Sequence, residues 1–152
     1  MSLTRGTKLV LDIVQAGQNV ISGSGATRTL NANESGSVCL FDRAAGIIFT
    51  LPTAKVGTYY DFHVTTSITS NNAKIITAVG TELVIGGISL NAAALAVFSG
   101  NGSTHLAVTM NGTTTGGLLG TKLRFTCLSS TRWMVEGTAL GSGTGVTPFA
   151  TS

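Results

Sequence analysis

Residues 46–66, GIIFTLPTAKVGTYYDFHVTT, contain two runs of strand-forming residues separated by a proline and a glycine turn. In the second run, apolar residues at positions 60, 62 and 64 alternate with Tyr59, Asp61 and His63. This period of two indicates a strand with one face turned to a core. The stretch therefore predicts two consecutive strands.

The same pattern recurs between Ser35 and residue 140, in short runs separated by glycine-rich turns. These further runs are SVCLF, AKIITAV, ELVIGGISL, ALAVFSG, HLAVTM, KLRFTCL and RWMVEG. Many short strands with such turns are typical of sandwiches, jelly rolls and barrels. We expect an all-β fold, an antiparallel, jelly-roll-like β-sandwich with an extended N-terminal arm, and a hairpin at Asn101–Gly102.

Composition divides the chain into three parts. Residues 1–34 hold one apolar run and then a Gly/Ser/Asn-rich stretch, which predicts an N-terminal arm. Residues 35–140 form the expected β-sandwich domain, and residues 141–152 read as a C-terminal tail. The tail carries Val146, Pro148 and Phe149, and apolar residues on a chain end stay exposed unless they dock. We expect these three residues to contact a neighbouring subunit; simple fraying of both ends is the alternative.

Charged residues form 10% of the chain, against about 25% in a typical soluble domain. The sequence nevertheless has no run of about 18 apolar residues that would predict a membrane span. We therefore expect copies of the chain to cover much of its surface, although a weakly polar exterior could also be tolerated. The net charge of +3 comes from scattered residues, so no basic stripe predicts nucleic-acid binding.

The residues that usually perform chemistry are few and scattered. His63 and His105 are the only histidines, and no GxSxG motif accompanies them. Cys39 and Cys127 lie apart without a metal-binding spacing, and we expect buried, reduced thiols. The sequence predicts no enzyme, no metal site and no cofactor. The N-terminus lacks the apolar core of a signal peptide, so we expect synthesis in a cytoplasm without export by the general route.

A resemblance to a known family rests on five short features of the sequence. They are the strand ending in Leu-Pro, the alternating aromatic strand, the SNNAKIITA turn and strand, the RWMVEG run and the terminal Thr-Pro-Phe. Over about residues 35–150 the chain resembles capsid decoration (cement) proteins of tailed phages. The resemblance implies a structural protein of the outer capsid surface, a homotrimer whose partner is the major capsid protein. For shell contact, the cations and apolar run of the arm point to Thr4, Arg5 and Lys8.

Two other functions remain open. A tail-fibre or receptor-binding domain would use the same β pattern, with aromatic residues exposed toward a sugar. A polysaccharide depolymerase would need a pair of carboxylates in a groove. Against the receptor-binding alternative, the sequence places Trp133 in an alternating strand, where we expect it in the core.

Overall fold

The computed structural model describes residues 17–23 and 25–152. Within these residues the chain forms twelve strands and one short 3-10 helix, Ala32–Glu34, so the all-β prediction is confirmed. No described helix is long and apolar enough to cross a lipid bilayer. The strands are β1 Val20–Ser22, β2 Thr27–Thr29, β3 Val38–Phe41, β4 Ile48–Thr50, β5 Tyr59–Val64, β6 Ala73–Ile76, β7 Leu83–Asn91, β8 Leu95–Asn101, β9 Ala107–Met110, β10 Lys122–Ser129, β11 Arg132–Leu140 and β12 Phe149–Ala150.

The strands form two sheets. The larger sheet has seven strands in the order β1-β3-β5-β10-β11-β7-β8, and the smaller has five in the order β12-β9-β6-β4-β2. The first six strands alternate between the sheets. The odd-numbered strands β1, β3 and β5 are therefore parallel neighbours in one sheet, and β2, β4 and β6 are parallel neighbours in the other.

The predicted antiparallel arrangement is wrong for half of the sheet contacts. Five of the ten strand pairings are parallel, and five are antiparallel. The predicted hairpin at Asn101–Gly102 is also wrong, because β8 and β9 belong to different sheets. The reason is physical: a period of two reports which face of a strand is buried, not which strand lies beside it.

The two sheets contribute to one hydrophobic core. Phe49 of the smaller sheet contacts two phenylalanines of the larger one, Phe41 at 5.0 Å and Phe62 at 5.5 Å between ring centroids. Trp133 is fully buried and lies 6.3 Å from the Tyr60 ring, as the alternation in RWMVEG predicts. The two contacts of Phe49 are edge-to-face and join the sheets, whereas Trp133 and Tyr60 both belong to the larger sheet.

The described part of the predicted arm is folded into the sheets. β1 and β2 pair with β3 and β4, and the Tyr60 hydroxyl donates a 2.7 Å hydrogen bond to the Asn31 carbonyl. Val20–Ser22 and Thr27–Thr29 are therefore strands of the two sheets, and the remaining boundaries of the predicted arm stay a prediction. The sequence predicts an arm here because the stretch is rich in glycine and serine, a composition typical of linkers. The residues between those glycines and serines nevertheless form the short strands β1 and β2.

Candidate functional site

The outward face of the seven-stranded sheet carries a row of charged side chains. In the register of β5, β10 and β11, Asp61 lies opposite Arg124, and Arg124 lies opposite Glu136. The next outward row contains His63 and Lys122. Successive side chains of a strand point to opposite faces, so all five residues lie on the side of the sheet away from the core.

Asp61 is the most constrained residue of this face. Its carboxylate is only 5% exposed and accepts two hydrogen bonds from Arg124, Nε to Oδ1 at 2.7 Å and Nη2 to Oδ2 at 2.8 Å. Gln18 Nε2 donates a third, at 3.0 Å to Oδ2. The hydrogen bonds from Arg124 and then from Gln18 hold the pKa of Asp61 below its ordinary value, against the opposing effect of burial.

Arg124 is partly exposed to solvent, whereas its partner Asp61 is buried. Its side chain is 45% exposed, and its guanidinium carbon lies 5.0 Å from the centroid of the Tyr59 ring. The hydrogen bonds to Asp61 raise the pKa of Arg124 further, so the guanidinium remains a cation. A bidentate pair beside an aromatic ring fixes the direction of the remaining guanidinium N–H groups.

Two open grooves meet at Arg124. One, of about 610 Å³, is lined by Asp61, Lys122, Arg124 and Glu136. The other, also of about 610 Å³, is lined by Gln18, Glu34, Tyr59 and Arg124 among others. Acidic and basic side chains with hydrogen-bond donors and acceptors line both grooves. Such a lining suits a polar ligand such as a sugar better than an apolar one.

This arrangement does not provide a nucleophile and its base. The Asp61 carboxylate is already occupied by three donors, and in the described residues neither histidine is hydrogen-bonded to a carboxylate. The backbone N–H of Asn101 donates to Nδ1 of His105 at 3.1 Å. The His105 ring also stacks on Phe149, with centroids 5.4 Å apart. The described residues include no cluster of three or more His, Cys, Asp or Glu side chains placed to hold a metal ion.

Glu82 is a buried carboxylate that the sequence analysis did not single out. It is 1% exposed; its Oε1 accepts the Ala54 N–H at 2.8 Å, and its Oε2 accepts the Trp133 indole N–H at 3.2 Å. Glu82 therefore fastens the loop after β4 to the core tryptophan. A lone acid just before an apolar strand gives no sequence signal for such a role.

Both cysteines are buried with free thiols, as expected from their strand positions. Burial raises the pKa of the Cys39 thiol to about 12, and burial also raises the pKa of Cys127. A thiol that stays protonated is a poor nucleophile and a poor metal ligand. The cysteines therefore act as small apolar side chains of the core.

The structure describes only some of the residues predicted to contact the capsid shell or a neighbouring subunit. Thr4, Arg5 and Lys8 lie outside the described residues. Phe149 is 5% exposed, because β12 pairs with β9 of the same chain and the ring covers His105. The Pro148 carbonyl accepts the Thr109 N–H at 2.8 Å. The Phe149 side chain therefore packs within its own chain, and its contact with a neighbouring subunit stays a prediction.

Val146, by contrast, is 47% exposed and stays available for a subunit contact. Comparisons of the chain with protein-family models, with curated proteins and with solved structures give no match.

Proposed function

We propose that the chain is a structural virion protein, which decorates and stabilises the outer surface of a phage capsid by bridging major capsid protein subunits. One observation carries the proposal. Residues 83–121 and 137–152 contain no Asp, Glu, Lys or Arg, and the fold brings these two segments together. The Ala93 N–H donates to the Gly143 carbonyl, and the Val146 N–H donates to the Thr114 carbonyl, both at 2.9 Å.

Two adjoining segments that carry no Asp, Glu, Lys or Arg of their own suit protein contact. Charged groups must shed their hydration when an interface forms, and this cost is absent here. The same two segments supply four exposed large apolar side chains: Leu95 is 72% exposed, Val97 67%, Leu119 61% and Val146 47%. Depletion of charge with exposed apolar residues is the composition of the core of an interface.

The core and the charged face of the molecule are consistent with this structural role. The aromatic core between the sheets gives a stiff, sandwich-type body, and the charged face holds its carboxylate in an ion pair. A decoration protein acts by mass action, since binding only to the assembled shell adds free energy to that state. In this proposal the protein is a homotrimer, and Thr4, Arg5 and Lys8 contact the shell.

The proposal is tested by the copy number of the protein in purified particles, measured by quantitative mass spectrometry against the major capsid protein. We expect a high and fixed ratio to the shell protein. A few copies per particle would support a tail component instead, and absence from the particle would overturn the virion assignment. Deletion of residues 2–12 should abolish shell binding and leave the oligomer intact, whereas unchanged binding would exclude the N-terminal contact.

A receptor-binding domain of a tail fibre is the second candidate, and the two grooves at Arg124 favour it. Tyr59 is 37% exposed and lies beside a guanidinium held in place by Asp61, a combination suited to stacking and hydrogen bonding with a sugar ring. Host surface polysaccharide titrated against the protein should then perturb Tyr59, and Tyr59→Ala should abolish the binding. Absence of binding at millimolar sugar would exclude this candidate.

A further inference from the structure

The two sheets end in four edge strands, and one of them differs from the others. β1 and β2 have three residues each, β2 carries the charged Arg28, and β12 has two residues. β8, at the end of the seven-stranded sheet, has seven residues, LAVFSGN. Natural proteins protect edge strands by shortness, by charged side chains, by proline or by a covering segment. β8 contains no charged residue and no proline.

The hydrogen-bonding groups of the free edge can be assigned from the pairing with β7. Gly102 N–H donates to the Val84 carbonyl, and the antiparallel register continues through Phe98 opposite Ile88. In such a ladder alternate residues bond to the neighbouring strand. Residues 96, 98 and 100 therefore face β7, and Leu95, Val97 and Ser99 direct their N–H and C=O groups outward.

Nothing in the described part of the chain pairs with these outward groups. The described backbone hydrogen bonds of residues 95–100 are those of the β7 ladder. The unpaired edge ends at Asn101, because the Asn101 N–H donates a hydrogen bond to Nδ1 of His105. Leu95 and Val97 are 72% and 67% exposed on the outward face of the same strand. An unpaired backbone row and two exposed apolar side chains thus coincide.

We propose that β8 pairs antiparallel with β8 of a second copy of this chain, around a two-fold axis at Val97. In this register Val97 faces its own counterpart, and Leu95 faces Ser99 of the other copy. By the two-fold symmetry Ser99 also faces Leu95 of the other copy, and each of the three pairs exchanges two hydrogen bonds, about six in all. The pairing joins two seven-stranded sheets into one and brings the exposed Leu95 and Val97 side chains beside those of the other copy.

The absence of charge identifies a second copy as the occupant. A partner with charged side chains would find no counter-charge in residues 83–121 and would lose hydration without compensation. Two copies of β8 meet without like-charge repulsion, and the outward residues Leu95, Val97 and Ser99 are self-complementary about their centre. Such an isologous contact closes on itself as a dimer. The inference does not depend on the proposed function, because it concerns the protein in solution.

Cysteine substitution tests the pairing and its register. In the two-fold arrangement the Cα atoms of paired residues lie about 5.5 Å apart, a distance that a disulfide spans. Val97→Cys should therefore cross-link to itself under mild oxidation. Leu95→Cys is the matched control: it is slightly more exposed, but its counterpart lies about 14 Å away along the strand. We expect its yield of cross-linked dimer to be about tenfold lower.

Mixing Leu95→Cys with Ser99→Cys should restore the cross-link, because these two positions face each other. The native thiols are buried and do not contribute. Equal cross-linking of Val97→Cys and Leu95→Cys would show random collision and overturn the proposal. Failure of Val97→Cys to cross-link would overturn it as well.

Solution mass gives an independent test. Static light scattering of the full chain should show an even number of copies: two if the β8 contact is the sole interface, and six if it joins two of the homotrimers proposed above. Val97→Pro should halve that mass, because proline removes an outward N–H at the centre of the pairing without removing a bond to β7. Val97→Thr keeps the N–H and the β-branched shape and should leave the mass unchanged. A monomer, or a trimer insensitive to Val97→Pro, would overturn the proposal, whatever the copy number in particles.

Discussion

Replacing Arg124 with methionine removes the principal partner of a buried carboxylate while it keeps a long side chain on β10. The structure shows what is lost: two hydrogen bonds of 2.7 and 2.8 Å to Asp61 and the stacking of the guanidinium on Tyr59. It also shows what remains, since Gln18 still donates to Asp61. The carboxylate would thus stay buried with one of its three donors.

The magnitude follows from these contacts. A hydrogen bond to a charged group contributes about 1.5–3 kcal/mol to stability. The Arg124 side chain is 45% exposed, so water screens the pair and replaces part of the lost interaction. We therefore expect the free energy of unfolding at pH 7 to fall by about 2 kcal/mol rather than by the full sum.

The pH dependence of this loss gives the sharper test. The pKa of Asp61 is lowered in the folded protein, chiefly by Arg124. A carboxyl of this kind stabilises the fold above its unfolded pKa of about 3.9, and the stabilisation is lost as the pH falls through the folded pKa. The difference in stability between the wild type and Arg124→Met should therefore be greatest at pH 7 and shrink below about pH 4.

Urea unfolding monitored by tryptophan fluorescence at pH 7 and pH 3 measures both quantities. Lys122→Met is the control, because Lys122 lies two residues away on the same strand face and is exposed. It forms no ion pair within the described residues, and its replacement should cost less than about 0.5 kcal/mol. A loss for Arg124→Met that is the same at both pH values would refute the account of the ion pair.

Three further outcomes follow from the core and the backbone. Phe49→Ala should cost about 3–5 kcal/mol in urea unfolding, because it removes the ring that joins the two sheets, whereas Ile48→Ala on the exposed side of the same strand should cost under about 1 kcal/mol. Gly112 has φ +79°, and an added Cβ would lie 1.9 Å from a backbone carbonyl oxygen; Gly112→Ala should lower the melting temperature far more than Gly57→Ala, where φ is +89° but no atom lies within 4 Å. Burial raises the pKa of Cys39 to about 12, so its thiol should not react with a disulfide reagent at pH 8 until the protein is unfolded, and rapid reaction of the native protein would contradict its buried placement.

The alternating strands β5 and β10 show how much of the structure a local sequence pattern can determine. Tyr60, Phe62 and Val64 are buried, as their alternation predicts, and the same holds for Leu123 and Phe125 of β10. Burial of one strand face is a local property, because side chains alternate regardless of the neighbouring strand. For the same reason the run RWMVEG was enough to place Trp133 in the core.

The candidate site shows the opposite. Asp61 was visible as a polar residue on the outward face beside His63, but its partners are Arg124, which is 63 positions away in the sequence, and Gln18, which is 43 positions away. No pattern within β5 indicates these residues. Their contact depends on β5 lying next to β10, and on β1 reaching the same face.

What the sequence by itself determined is the all-β class, the inward and outward faces of the strands and the long segments without charge. What only the tertiary structure decided is the neighbour of each strand: the parallel pairing of the first six strands, the ion pair of Asp61 and the exposed edge of β8. The physical reason is that burial depends on the period of the side chains along one strand. Strand pairing depends instead on backbone groups that all residues except proline share.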